Sequence, residues 1–300
     1  MHIREILAAN PTCLSFEFFP PKTEQSSLKL LDTIADIQTM APAYVSVTYA
    51  AGGTTQALTH DLVVKINNEL NVPTVAHLTC VAATKLDIIH ILDRYHAAGI
   101  RNIMALRGDT PKTMPINPVP NDFAHAADLV ALIKDRYPSM GIGVAGFPEG
   151  HPGCPNRLLE MTHLKAKVDA GADYICTQLF FDNRDFYDFQ DRCRLAGITV
   201  PIVAGIMPIT SLSTLNRIAE LAEGARFPAT LLKSLNRAKT DADLENIGIH
   251  WSAEQVRDLL NNSVSGVHFY TFNQSNPALK ICKTIGISHT SQLNQILPTF

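Results

Sequence analysis

The 300-residue sequence has no Cys-x-x-Cys pair and no cysteine–histidine ladder; its six cysteines, Cys13, Cys80, Cys154, Cys176, Cys193 and Cys282, are scattered along the chain. That spacing argues against a zinc site and a disulfide framework, and predicts reduced, mostly buried thiols. Charge is scarce as well. Charged residues make up 18% of the chain and the net charge is -3, so there is neither a basic field for nucleic acid nor an acidic tail. No apolar run approaches the roughly 20 residues that span a membrane. The apolar part of MHIREILAAN is too short, and too soon ended by Pro11, for a signal peptide. These absences predict a cytoplasmic protein with no nucleic-acid or membrane partner. No linker or low-complexity stretch divides the chain, and its length suits two average domains or one large α/β barrel.

What is present is a rhythm. Eight short β-branched or aromatic runs recur: LSFEFF from Leu14, YVSVTYA from Tyr44, TVAHLTC from Thr74, RNIMALRG from Arg101, GIGVAGF from Gly141, YICTQLFF from Tyr174, PIVAGIM from Pro201 and GVHFYTF from Gly266. Each reads as a strand. Between them LKLLDTIADI, LDIIHILDRYHAAG, AADLVALIKDRY and LLEMTHLKAKVDAGA carry helical apolar spacing. Several of the runs are apolar on both faces, which suits a parallel sheet covered by helices. Eight strand–helix units predict a (β/α)8 TIM barrel, a single catalytic domain over residues 1–300. The last crossover is longer than the others and reads as a helical insertion before the last strand, carrying Arg226 to Trp251 with TLLKSLNRA and AEQVRDLLNN as its helices.

Barrel active sites form at the carboxyl ends of the strands. The late positions of the runs are Glu17; Thr48 and Tyr49; His77; Arg107, Gly108 and Asp109; Phe147, Glu149 and His151; Gln178; and Tyr270 with Asn273. Each has a plain structural alternative: Thr48 and Tyr49 as strand formers, His77 as a core histidine, Arg107 with Asp109 as a loop ion pair. Gln178, flanked by apolar residues, needs several partners. Glu17 is the sharpest anomaly, because burying a carboxylate in LSFEFF costs several kcal/mol unless something compensates. GIGVAG fits the literal G-x-G-x-x-G pattern but lies inside a strand, so it is not a dinucleotide fingerprint. The glycine pair of YAAGGTT marks a turn and no phosphate site is drawn from it.

Taken in order, SFEFFPPKT, VSVTYAAGG, HLTC, ALRGD, FPEGHP, LKAKVDAGADYICTQLFFD and HFYTFN closely resemble the methylenetetrahydrofolate reductase family, from about Leu14 to Gly286. The resemblance implies a (β/α)8 flavoprotein that uses FAD. In the implied ping-pong reaction NADH or NADPH reduces the flavin, which reduces 5,10-methylenetetrahydrofolate to 5-methyltetrahydrofolate. It also implies the short bacterial type without a carboxyl-terminal regulatory domain, and by analogy a homo-oligomer.

By the same resemblance Glu17 is the general acid, its pKa raised by an apolar strand, and Asp109 the aspartate that tunes the flavin. Thr48, Tyr49, His77, Arg107, Gly108, Asp109, Ala126, Phe147, His151, Glu160 and Lys167 fall at FAD-contact positions, and Gln178 and Gln274 at substrate positions. Phe147 stands where some relatives have tyrosine, Glu160 where some have aspartate, Ile218 where a relative has phenylalanine, and Gln274 where arginine is expected. Two alternatives stand beside this reading: a barrel flavoenzyme of the proline dehydrogenase type with another substrate, and a non-catalytic barrel subunit of a complex.

Overall fold

A computed structural model describes residues 1–21, 23–49, 53–109, 122–222 and 224–293. Eight parallel strands close into a barrel in sequence order, with β8 hydrogen-bonded back to β1. They are β1 (Cys13–Phe18), β2 (Tyr44–Val47), β3 (Thr74–Thr79), β4 (Asn102–Leu106), β5 (Gly141–Gly146), β6 (Tyr174–Thr177), β7 (Ile202–Ile206) and β8 (Gly266–Tyr270). Each lies within a few residues of its predicted run. Around them run α2 (Glu24–Gln38), α3 (Gly53–Asn68), α4 (Lys85–Ala97), α5 (Ala126–Arg136), α6 (Arg157–Asp169), α7 (Asn183–Leu195), α8 (Leu212–Leu221), α9 (Ala229–Leu235), α10 (Asp241–Asn261) and α11 (Ser275–Thr284), after a short α1 (Ile3–Ala9). Short polar side chains start these helices: the Thr23, Thr84, Asn156, Ser211 and Thr240 oxygens accept backbone N–H bonds at the first turns of α2, α4, α6, α8 and α10.

The alternation along each strand sorts its side chains. On β1, Leu14, Phe16 and Phe18 join the large apolar layer beneath the helices, while Cys13 turns inward with Tyr44, Val75, Met104, Tyr174, Cys176 and Val203. The register then sets Glu17 beside Ser46 on β2 and Tyr270 on β8. The lower interior is plugged by α1, whose Ile3, Ile6 and Leu7 belong to that inner cluster. Helix α1 is tied there by polar anchors. The Asn102 side-chain oxygen accepts from the Ile3 N–H at 2.7 Å. Buried Asp173 accepts from the Ile142 N–H at 2.7 Å and pairs with Arg4 and with Lys134 at 3.2 Å.

GIGVAG is wholly strand, and its glycines make room: a Cβ on Gly143 would stand 2.5 Å from the Tyr174 ring. The long last crossover is helical as expected, with one difference. Its second helix is a single 21-residue α10 that starts at Asp241, so Trp251 and AEQVRDLLNN belong to one helix. Buried Leu244, Gly248, Ile249, Ser252, Ala253, Val256, Leu259 and Leu260 keep one face of α10 packed over its full length. Trp251 Nε1–H donates to the Phe181 carbonyl at 3.0 Å. No helix among the described residues is long and apolar enough to cross a membrane.

Candidate active site

Glu17 is 7% exposed and faces the barrel interior just below its carboxyl-terminal mouth. The backbone there is held from both sides: Thr271 Oγ1 donates to the Glu17 carbonyl at 2.6 Å. Asn273 grips Phe19 with both ends of its amide, accepting from the Phe19 N–H at 2.8 Å and donating to the Phe19 carbonyl at 2.9 Å. Asn273, a rim residue from the sequence, is therefore a clamp between the loops after β1 and β8.

Three side chains surround Glu17 Oε2. His77 Nε2 lies 3.3 Å away, Ser46 Oγ 3.5 Å and His268 Nε2 3.6 Å. Ser46 Oγ is also 3.3 Å from His268 Nε2, and the other ring nitrogen of His268 is 2.8 Å from Ser15 Oγ. The strand is thus apolar only on its outer face. This corrects the expectation that an apolar strand raises the pKa of Glu17. Burial does push the carboxyl up, but the charge of His77 and the bonds and charge from His268 and Ser46 outweigh it and hold the pKa below the ordinary value. Burial lowers the pKa of His77 in turn, against the pull of Glu17, so its charge acts on Glu17 chiefly on the acid side. At neutral pH the contacts with His268 and Ser46 remain. Ser15, Ser46 and His268 were not singled out from the sequence. The available signal was period-two alternation, since His268 is two residues before Tyr270 and Ser15 two before Glu17.

The other expected site residues distribute along the same mouth. Thr48 and Tyr49 follow β2 and are half-buried, with Tyr49 Oη accepting from Gln56 Nε2 at 3.1 Å. Residues 50–52 of the YAAGG turn lie outside the described residues. Arg107 and Asp109 are exposed after β4, and no ion pair joins them among the described residues. Gly108 between them has φ +83°, and a Cβ there would meet Thr79 and Val81 at 2.9 Å. The β4 loop therefore presses on the end of β3 in a way only glycine allows.

Phe147 and His151 pack edge to face, with ring centroids 4.7 Å apart. Glu149 receives Arg226 at 2.9 and 3.1 Å and ties this loop to the α8–α9 crossover. Ala126 opens α5. On α6, buried Glu160 accepts from Arg157 at 3.1 Å through one oxygen, while its other oxygen is buried with no partner among the described residues. Lys167 donates to the Ala145 carbonyl at 2.6 Å, and burial pulls its pKa down to about 8 against the opposing charge of Glu160. Gln178 is half-buried, its oxygen accepting from the Leu179 N–H at 2.9 Å. Gln274 is exposed at the start of α11, and Ile218 is fully buried against the apolar cluster under α8. The structure brings His77 directly to Glu17, while Ala126, Glu160 and Lys167 lie on helices of the outer ring.

A closed parallel barrel with an enclosed glutamate at its carboxyl-terminal mouth has the architecture in which barrel enzymes build their active sites. Comparison with known proteins makes the assignment narrower. The methylenetetrahydrofolate reductase family profile matches residues 2–286, and the chain belongs to that family. It is 35% identical over 275 residues to the 5,10-methylenetetrahydrofolate reductase of Escherichia coli, covering 91% of this chain and 90% of that one. It is 36% identical over 308 residues to methylenetetrahydrofolate reductase (NADH) 1 of Arabidopsis thaliana, covering 99% of this chain and 52% of the relative. The chain thus spans about half the length of the plant relatives. The barrel also superposes with a TM-score of 0.65 on an uncharacterised Clostridium thermocellum protein that binds two copies of 5-methyl-5,6,7,8-tetrahydrofolic acid. That match covers 96% of this chain and 99% of the other at 15% identity, and it bears on the fold alone.

Proposed function

We propose that this protein reduces 5,10-methylenetetrahydrofolate to 5-methyltetrahydrofolate with electrons from NADH or NADPH, using FAD. The observation that carries the reading is Glu17, a carboxyl 7% exposed and surrounded by Ser46, His77 and His268 at the barrel mouth. Family membership and the NADH in the name of the Arabidopsis relative support the substrate and favour NADH as donor.

Several features suit FAD. Lys167 is a half-buried ammonium beside β5, suited to pair with a pyrophosphate. The buried oxygen of Glu160 that has no partner among the described residues suits a hydroxyl or amine donor. Thr48, Tyr49, His77, Arg107, Gly108, Asp109, Ala126, Phe147 and His151 would complete its surroundings. When bound, FAD supplies a two-electron carrier between nicotinamide and folate.

The chain's own residues handle the proton. Opening the five-membered folate ring to an iminium requires protonation of the departing nitrogen; Glu17, whose pKa lies below the ordinary value in the ligand-free barrel, would give that proton from its carboxyl oxygen once bound flavin and substrate desolvate it further and raise its pKa. Asp109 places a negative charge at the end of β4, which favours the cationic iminium. Gln178 offers its amide to the substrate, and Gln274 lies farther out on the rim.

The test is Glu17→Gln. Reduction of the flavin by NADH is expected to be preserved, while the folate half-reaction slows by roughly 10²-fold or more, the usual worth of a positioned acid. Equal loss in both half-reactions would remove Glu17 from the acid's role.

A further inference from the structure

The buried polar chain behind Glu17 ends inside the barrel. Ser15 and His268 are 0% and 1% exposed, and beneath them lies the cluster of Tyr44, Tyr174, Cys13 and Cys176 closed by α1. The chain therefore cannot lead a proton out through the bottom, and its effect must fall on Glu17.

Both ring nitrogens of His268 are engaged. Ser15 Oγ lies 2.8 Å from His268 Nδ1, where either group can be the donor, and 3.5 Å from the Val267 carbonyl, to which it donates. The other ring nitrogen, Nε2, faces Ser46 Oγ at 3.3 Å and Glu17 Oε2 at 3.6 Å. Ser46 in turn donates to Glu17 Oε2 at 3.5 Å. Tyr44 stacks on the imidazole with centroids 6.0 Å apart, and Tyr270 meets it edge-on at 5.3 Å, so the ring is fixed in plane.

We propose that His268, oriented by Ser15, is a positioning residue for the general acid: with Ser46 it stabilises the Glu17 carboxylate left after the proton has gone to substrate. The inference rests on the reductase reading. One proton leaves Glu17 Oε2 for the folate nitrogen, the electron pair of the O–H bond stays on the carboxylate, and solvent at the mouth returns one proton before the next turnover. The titratable groups facing the pair are Cys13 on β1, Tyr44 on β2, His77 on β3, Tyr174 and Cys176 on β6, and Tyr270 on β8. Burial raises the pKa of the thiols and phenols and lowers that of His77, so all of these stay uncharged near neutral pH. Glu17 is left to change charge against the donors of Ser46 and His268.

The test uses the FAD-reconstituted protein and two variants: Ser15→Ala, which nearly preserves volume, and His268→Phe, which keeps a ring against Tyr44. The protonated carboxyl of Glu17 is followed by infrared difference spectroscopy against Glu17→Gln as pH is raised, with no substrate present. Loss of the donors is expected to move the midpoint upward by about one pH unit, tenfold in the ionisation constant. In the folate half-reaction the alkaline limb should move up with it while the plateau rate falls, a signature that a merely structural role would not give. An unmoved midpoint in Ser15→Ala would overturn the proposal, as would a plateau loss with an unshifted limb. Failure of the unaltered protein to react with methylenetetrahydrofolate would sink the reductase reading instead, and the carboxyl titration would still decide the role of His268.

Discussion

Lys167 offers a test in which stability and function pull in opposite directions. Its ammonium is half-buried beside β5 with the Ala145 carbonyl as hydrogen-bond partner at 2.6 Å, and desolvation lowers its pKa from 10.5 to about 8. A folded-state pKa below the unfolded one means that folding disfavours the charged form. Below about pH 8 both states are protonated and the whole cost is present; it shrinks as pH rises and vanishes near 10.5. At about 1.36 kcal/mol per unit the gap corresponds to about 3 kcal/mol, and partial exposure of the side chain reduces this to about 1–3 kcal/mol. Lys167→Met should therefore make the flavin-free protein more stable at neutral pH by about 1–3 kcal/mol, with the advantage fading toward pH 10. The same variant should bind FAD more weakly, since the missing charge is the one a pyrophosphate would pair. Urea denaturation of both proteins at several pH values, with flavin titrations alongside, reads both effects. A variant that is less stable at neutral pH, or whose stability difference is the same at every pH, would refute the reasoning.

Two further substitutions probe the frame. Gly143→Ala would bring a Cβ to 2.5 Å from the buried Tyr174 ring, and the packed interior should turn this into a loss of about 1–3 kcal/mol in denaturant midpoint experiments. Asn273→Ala removes both bonds to Phe19 at a residue with φ +59°, which predicts a loss of about 1–3 kcal/mol together with a slower folate half-reaction. Asn273→Gly relieves the backbone but not the bonds, so it should recover only part of the stability.

Much of the barrel was legible because its code is local. Each apolar run of four to eight residues between helical segments became a strand, and closure followed from the number of units. The surroundings of Glu17 were not legible in the same way. Ser15 and His268 are 253 positions apart and meet only because β8 pairs with β1, a closure contact that no local pattern displays. For the same reason LSFEFF read as apolar throughout, although its inner face meets two imidazoles and a serine, and the direction of the Glu17 pKa was missed. Taken alone, MHIREILAAN reads only as a stretch too short for a signal peptide, because the use of its apolar residues depends on the barrel that they plug. At the rim, sequence alone could not separate Asn273, which clamps two loops, from Glu17, which faces the pocket.

The central claim is that one protein passes electrons from nicotinamide to methylenetetrahydrofolate through a bound flavin. The most direct test is the visible absorption spectrum of the FAD-reconstituted protein without oxygen, followed as NADH and then methylenetetrahydrofolate are added. The account predicts that the flavin band bleaches with NADH and returns with the folate, and that in Glu17→Gln it bleaches but returns far more slowly. A band that bleaches and never returns in the unaltered protein, or a protein that takes up no flavin, would contradict it.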